Sequence, residues 1–221
     1  MKQSWIAWLA AGALVGLPAA LAQEPQDKKK DEKPPVEAPK SEVLKLGSTV
    51  AETLAMKDLD GKSISFKELR GKVVIVHFWS DRCPAERHAD PVVKKLEEYY
   101  KGKDVVIVGI ASNQGELGEQ PPADATDWSK YYVNLRKKAA EVGYTHKIYV
   151  DHGNVLSDLF QARSTPHCYV IDAKGVLRYA GALDDDPGEE KGDGATVYVR
   201  DAADALLAGK EVKVTETRSY G

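Results

Sequence analysis

Residues 73–91 read VVIVHFWSDRCPAERHADP. Val73 to Trp79 is a short run of β-branched and aromatic residues with neither Gly nor Pro, a pattern that predicts a buried strand. Behind it, Pro84 suits the first position of a helix, where its missing N–H costs nothing, and Val92, Val93, Leu96 and Tyr100 recur at helical spacing. Cys83 therefore falls at a strand-to-helix switch. A thiol there meets unpaired backbone N–H groups and the positive end of the helix dipole, both of which favour thiolate. Arg82, Arg87 and His88 act in the same sense, while Asp81 and Glu86 oppose them. The competing reading of Cys83 is a small buried hydrophobe.

Phe78-Trp79 followed by Cys83 resembles the thioredoxin superfamily, in which a Trp precedes the nucleophilic Cys by this spacing. Pro91 is similar to the kinking proline that thioredoxins carry inside the same helix. Glu86 stands where a thioredoxin has its second, resolving cysteine. The resemblance implies a thioredoxin-like α/β fold, a mixed sheet with helices on both faces, and Cys83 as the reactive thiol.

The chain has 221 residues, enough for one domain of ordinary size plus extensions. Its formal charge of −3 gives no electrostatic reason to expect nucleic acid or an acidic membrane surface, and there is no basic stripe with interleaved aromatics. Residues 1–22 read as a secretory signal: Lys2 in the n-region, Trp5 to Leu17 as the apolar stretch, and Ala20-Leu21-Ala22 as a small-residue cleavage site near Ala22. This predicts a secreted or periplasmic protein with no stable membrane span after cleavage. An uncleaved N-terminal membrane anchor is the alternative, since the apolar run is close to the ~18 residues of a short span. No Cys follows it to carry a lipid. Residues 23–42 mix charges of both signs with prolines and predict a disordered linker. The folded domain is expected over 43–221.

Asp58-Leu59-Asp60-Gly61-Lys62 is a turn signal between two strand candidates, Glu52 to Lys57 and Ser63 to Phe66, so an N-terminal β-hairpin is expected. Together with the adjoining SFKELRGK, it resembles the N-terminal hairpin of the redoxin branch, which holds peroxiredoxins and secreted thioredoxin-like reductases. Gly71-Lys72 lacks the rest of a phosphate loop. Asp104 to Ala111 is a second apolar strand, and the strand–helix–strand order predicts parallel pairing. Ser112 to Ala125 is a long loop. Asp127 can cap a helix whose apolar positions Trp128, Tyr132, Leu135, Ala139 and Val142 end at Gly143. Ile148 to Val150 reads as a strand and Val155 to Phe160 as a helical turn, completing the alternation of an α/β domain.

Ser164-Thr165-Pro166-His167-Cys168 places a proline directly before an apolar strand, where its missing N–H is tolerated, and a cis Thr165-Pro166 bond is expected. Thioredoxin-fold proteins carry a cis-proline here, often after Thr, lying against the active-site cysteine, and the resemblance implies that role for Thr165 and Pro166. Ala173-Lys174-Gly175 and Val176 to Gly181 form a hairpin. Asp184-Asp185-Asp186 opens an acidic loop whose spacing fits no calcium loop, so a solvated loop is expected. Val197 to Leu207 is the last helix. From Val43 to Gly221 the chain resembles the redoxin branch, the alkyl hydroperoxide reductase/thiol-specific antioxidant proteins and their peroxiredoxin-like subgroup.

Within that branch, a peroxiredoxin has Ser or Thr three residues before its cysteine, which Ser80 supplies. It also has a proline seven residues before, where Val76 stands, and an arginine where this chain has Pro166. Cys168 is the internal candidate for resolving a mixed disulfide, two residues along the strand from Pro166. A small buried strand residue is its other reading. The leading expectation is a thiol-dependent oxidoreductase in which Cys83 attacks a disulfide or peroxide, served by an external reductant. Trp79 would wall the site, and Arg82 or Arg87 would stabilise the anion. No cofactor and no metal is expected. The alternatives are a redox-inactive binding module and, more thinly, copper held by Cys83 with His88 or His167. His77, His146 and His152 read as strand or surface residues.

Overall fold

The computed structural model describes residues 43–221. The expected signal peptide and linker lie outside the described residues. Ala55–Asp58 (β1) and Ser63–Ser65 (β2) pair as the antiparallel N-terminal hairpin. Asp58 closes it, its Oδ1 accepting the N–H groups of Asp60 and Lys62 at 2.9 Å each. Gly61 adopts φ +80°, and the Trp128 indole occupies the space where a side chain would begin, so only glycine meets both demands there.

Val73–Phe78 (β3) is buried at every position and lies between two partners. Val105–Ala111 (β4) runs parallel to it, with Val73 opposite Val105 and Phe78 opposite Ile110. Lys147–Val150 (β5) continues the sheet parallel to β4 and meets β1 on its far side. On the other flank, His167–Ile171 (β6) and Leu177–Gly181 (β7) are antiparallel. One mixed sheet of order β2–β1–β5–β4–β3–β6–β7 results.

The period-two alternation of β3 separates two cores. Val74, Val76 and Phe78 face Phe66, Leu156 and Phe160, the last two from the helix Val155–Phe160 (α4). Val73 and Ile75 face Ala89, Val93 and Leu96 of the helix Glu86–Tyr100 (α1), and Val199, Ala202 and Ala203 of the helix Tyr198–Leu207 (α5). Helices thus cover both faces of the sheet, a thioredoxin-like α/β arrangement. Truncating a buried side chain such as Ile75 to Ala costs about 2–5 kcal/mol.

Four local expectations are corrected. Helix α1 begins at Glu86 rather than Pro84. Glu86, Arg87 and His88 donate three residues back, to Cys83, Pro84 and Ala85, so the entry is a tight turn. The loop after β4 contains a short helix, Gln114–Leu117 (α2). The helix expected from Asp127 forms only over Val133–Val142 (α3), because Tyr132 sits at φ 57° and the Asp127 carboxylate instead accepts the Ser129 N–H. The acidic loop is not solvated throughout. Asp184 and Asp186 are buried, and Asp186 gathers the N–H groups of Glu190, Lys191 and Gly192.

Residues 215–221 return along β7. Ala180 N–H donates to Thr215 and Thr217 N–H donates back to Ala180, at 3.0 and 3.1 Å. The Thr217 hydroxyl accepts the Ala182 N–H and lies 2.6 Å from the Tyr179 hydroxyl. No helix among the described residues is long and apolar enough to cross a membrane.

Candidate active site

Trp79 still donates to Ile110 O at 2.8 Å, so the chain leaves the sheet only at Ser80. Ser80 is buried and organises the turn that carries the thiol. Its Oγ accepts the N–H groups of Arg82 at 3.2 Å and Cys83 at 2.9 Å, and donates to Glu116 Oε1 at 2.6 Å. Glu116 Oε2 accepts the Asp81 N–H at 3.1 Å, and Asn113 Nδ2 donates to Oε1 at 2.8 Å. Burial pushes the Glu116 carboxyl up from its ordinary range, against the pull of the Ser80 hydroxyl.

Cys83 is a free, half-buried thiol whose Sγ donates to the Thr165 carbonyl at 2.8 Å. The Thr165–Pro166 peptide is cis, and β6 begins at the next residue. The pairing of Phe78 with His167 brings the two segments together. Gly221 reaches the same place, since a Cβ on it would collide with the Thr165 carbonyl oxygen. Ser219 Oγ lies 2.8 Å from Ser164 Oγ, and Tyr220 donates to Asp184 Oδ1 at 2.9 Å.

The remaining sequence candidates are distributed differently. Pro84, Arg82 and Arg87 are exposed, and Arg82 Nε lies 3.9 Å from Asp81 Oδ1. Trp79 is fully buried, donates to Asp90 Oδ1 at 3.1 Å, and supports the loop from beneath instead of lining its surface. Cys168 is also a free thiol and fully buried in the core beside α1 and α5. Burial pushes its thiol well up, and the nearby charges of Glu86 and Asp184 add to this.

Two histidines flank the site. His88 Nε2 is 2.7 Å from Asp184 Oδ2. His167 accepts the Tyr169 hydroxyl, and burial, aided by Arg163, pushes its ring down to about 4, so it is neutral at pH 7. Among the described residues, no group of three or more His, Cys, Asp or Glu side chains is placed to hold a metal ion.

Sequence reading did not single out Glu116 or pair His77 with Glu86. His77 Nε2 lies 3.1 Å from Glu86 Oε2, and both side chains are 1% exposed. Burial pushes the Glu86 carboxyl up, with His77 pulling against it. The available signal was one ionisable residue inside an otherwise apolar strand; Glu116 offered none.

A free thiol between a central strand and a covering helix, set against the residue before the proline of an antiparallel strand, defines a thioredoxin-like redoxin. Residues 48–180, more than half of the chain, match the AhpC/TSA family, and the chain belongs to it. It is similar to thiol-disulfide oxidoreductase ResA of Halalkalibacterium halodurans, 28% identical over 127 residues, which is 58% of this chain and 63% of the relative. The chain thus spans less than two thirds of the length of that relative. It is also similar to thiol-disulfide oxidoreductase YkuV of Bacillus subtilis, 28% identical over 138 residues, 62% of this chain and 84% of the relative. Its fold is similar to the crystal structure of a hypothetical protein from Sinorhizobium meliloti, with a TM-score of 0.66, 25% identity, and coverage of 81% of this chain and 93% of that one.

Proposed function

We propose that this protein is an exported thiol–disulfide exchange protein that works through one cysteine, Cys83. The observation that carries the reading is the position of its thiol, partly exposed, free, and held against Thr165 at the junction of β3 and α1. The Cys83 thiolate attacks one sulfur of a substrate disulfide. A bond forms between Cys83 and that sulfur, the substrate S–S bond breaks, and the other sulfur leaves as thiolate and takes a proton from water. An external dithiol then reduces the mixed disulfide, releasing the substrate thiol and restoring Cys83 while itself becoming a disulfide. An external reductant is invoked because Glu86 holds the place of a neighbouring cysteine and Cys168 is sealed in the core. A disulfide is favoured over a peroxide as substrate, since Val76 and Pro166 depart from the peroxiredoxin pattern and the named relatives are thiol–disulfide oxidoreductases. Export rests on the secretory signal read over residues 1–22.

The test is trapping. Wild-type protein mixed with an oxidised peptide disulfide and then acid-quenched should carry the peptide on Cys83, located by mass spectrometry, and Cys83→Ser should carry none. Equal turnover of the disulfide by Cys83→Ser removes the proposal. A second reading, a binding module without redox turnover, is motivated by Glu86 at the resolving position; it requires no adduct on the wild type.

A further inference from the structure

We infer that Glu116, in the segment between β4 and α3, is a positioning residue for Cys83, acting through the Ser80 hydroxyl. The inference rests on Cys83 being the attacking thiol.

A serine hydroxyl has one hydrogen and two lone pairs, and its rotation is free unless the hydrogen is claimed. Glu116 Oε1 claims it at 2.6 Å, a short bond of the kind made to carboxyl oxygens. The lone pairs then face the N–H groups of Arg82 and Cys83, which both bond to Ser80 Oγ. Without that acceptor the hydroxyl can rotate and lose one N–H. The second oxygen of Glu116 holds the Asp81 N–H, so consecutive peptide units of the Cys83 loop hang from this one side chain, directly or through Ser80.

Glu116 is itself held firmly. Leu117 is buried in the core with Trp79 and Leu135. Gln114 Nε2 donates to Asp151 O at 3.0 Å and to Asn154 Oδ1 at 2.9 Å, and Ser112 donates to Asp151 Oδ2 at 2.8 Å. The short helix α2 is therefore fastened to the residues after β5, and its carboxyl group reaches the thiol loop from a fixed base. The Glu116 side chain stands in a residue that is 8% exposed, beside a buried Asp81 Oδ1 with no hydrogen-bond partner of its own among the described residues. At this burial little solvent is present to replace a lost partner, so the Glu116 hydrogen bonds matter to the loop they hold.

The experiment measures the second-order rate of the native protein with dithiobis(nitrobenzoate), the adduct being located on Cys83 by mass spectrometry. It is paired with hydrogen exchange of the Arg82 and Cys83 amides by NMR. Glu116→Ala and Ser80→Ala should each slow the reaction about tenfold, as a small misplacement of a reacting group does. The double variant should be no slower than the slower single one. Glu116→Gln, which keeps an oxygen for the Ser80 hydroxyl, should stay within about threefold of wild type, as loss of one modest hydrogen bond allows. Glu116→Ala reacting at the wild-type rate overturns the inference, as does Glu116→Gln as slow as Ala, or single effects that multiply in the double variant. If Glu116→Ala does not fold, Ser80→Ala on the wild-type and Glu116→Gln backgrounds decides by the same rule. If wild-type Cys83 does not react, the proposed exchange activity fails. The amides then decide the positioning alone: faster exchange in Ser80→Ala and Glu116→Ala supports it, and unchanged exchange overturns it.

Discussion

The imidazole of His77 and the carboxyl of Glu86 lie 3.1 Å apart, nitrogen to oxygen, in a place that solvent does not reach. Neither makes a well-formed hydrogen bond to any other group among the described residues. Glu86 is the first residue of α1 and His77 the penultimate residue of β3, so the pair ties the helix to the central strand directly below the thiol loop.

This pair sets a pH dependence of stability. The unfolded carboxyl titrates near its ordinary value of 4.5, and burial raises the folded one above it. Between those two values the folded state binds more protons than the unfolded state, so the Glu86 contribution falls as pH rises through the window. Glu86→Gln removes that slope. Urea midpoints of variant and wild type should diverge in favour of the variant as pH is raised from about 4 towards 8, and parallel curves would contradict the assignment.

Cys168 should behave as a core residue. In the native protein it should resist iodoacetamide while Cys83 is modified, and it should react only after denaturation. Cys168→Ala should cost about 1–2 kcal/mol in a urea titration, the scale for removing a small buried group. It should leave Cys83 alkylation within about twofold, as expected where exchange depends on the attacking thiol and its access. A large loss of disulfide turnover in Cys168→Ala would instead assign it the resolving role.

The opposite sign of pH dependence comes from Glu97. Burial alone would raise its carboxyl, but donation from His146, Lys94 and Thr145 holds it well below the ordinary carboxylate range. Its contribution is fully present above the unfolded value of 4.5 and is lost as pH falls towards the folded one. Glu97→Gln should lose about 1.5–3 kcal/mol at pH 7, the range for hydrogen bonds to a charged group. The loss should shrink in acid. A loss that is the same at about pH 3 as at pH 7 would point to packing instead.

Asp186 organises residues 187–194 by collecting three backbone N–H groups at 2.7 to 3.0 Å. Asp186→Ala should therefore open this loop to limited proteolysis. Cleavage mapped by mass spectrometry between residues 187 and 194, at least severalfold faster than in wild type, is the expected result. Wild-type cleavage rates would mean that the loop is held by other contacts.

The sheet was legible because its central strands each open on four consecutive β-branched residues, Val73 to Val76 and Val105 to Val108. Val73–Phe78 and Val105–Ala111 have no competing pattern, and the Thr165-Pro166 pair marks where β6 starts. Boundaries set by single side chains were not legible. Asp127 has the chemistry of a helix cap, but the same carboxylate can close a local turn on Ser129, and here it does so. The acidic run Asp184–Asp186 looks like a solvated surface until its backbone partners are known. In the site, Cys83 was visible from its place between strand and helix. Glu116 was not, because the register that carries it to Ser80 passes through β4 and a short helix with no periodicity of its own.

The course of residues 215–221 has a practical consequence. Their last residue rests against the Thr165 carbonyl, the atom that also receives the Cys83 thiol. A purification handle fused after Gly221 would start at the doorstep of the reactive sulfur, where it would crowd incoming disulfides or supply histidines that capture metal beside it. Reactivity of Cys83 is therefore best measured on protein with nothing added after Gly221.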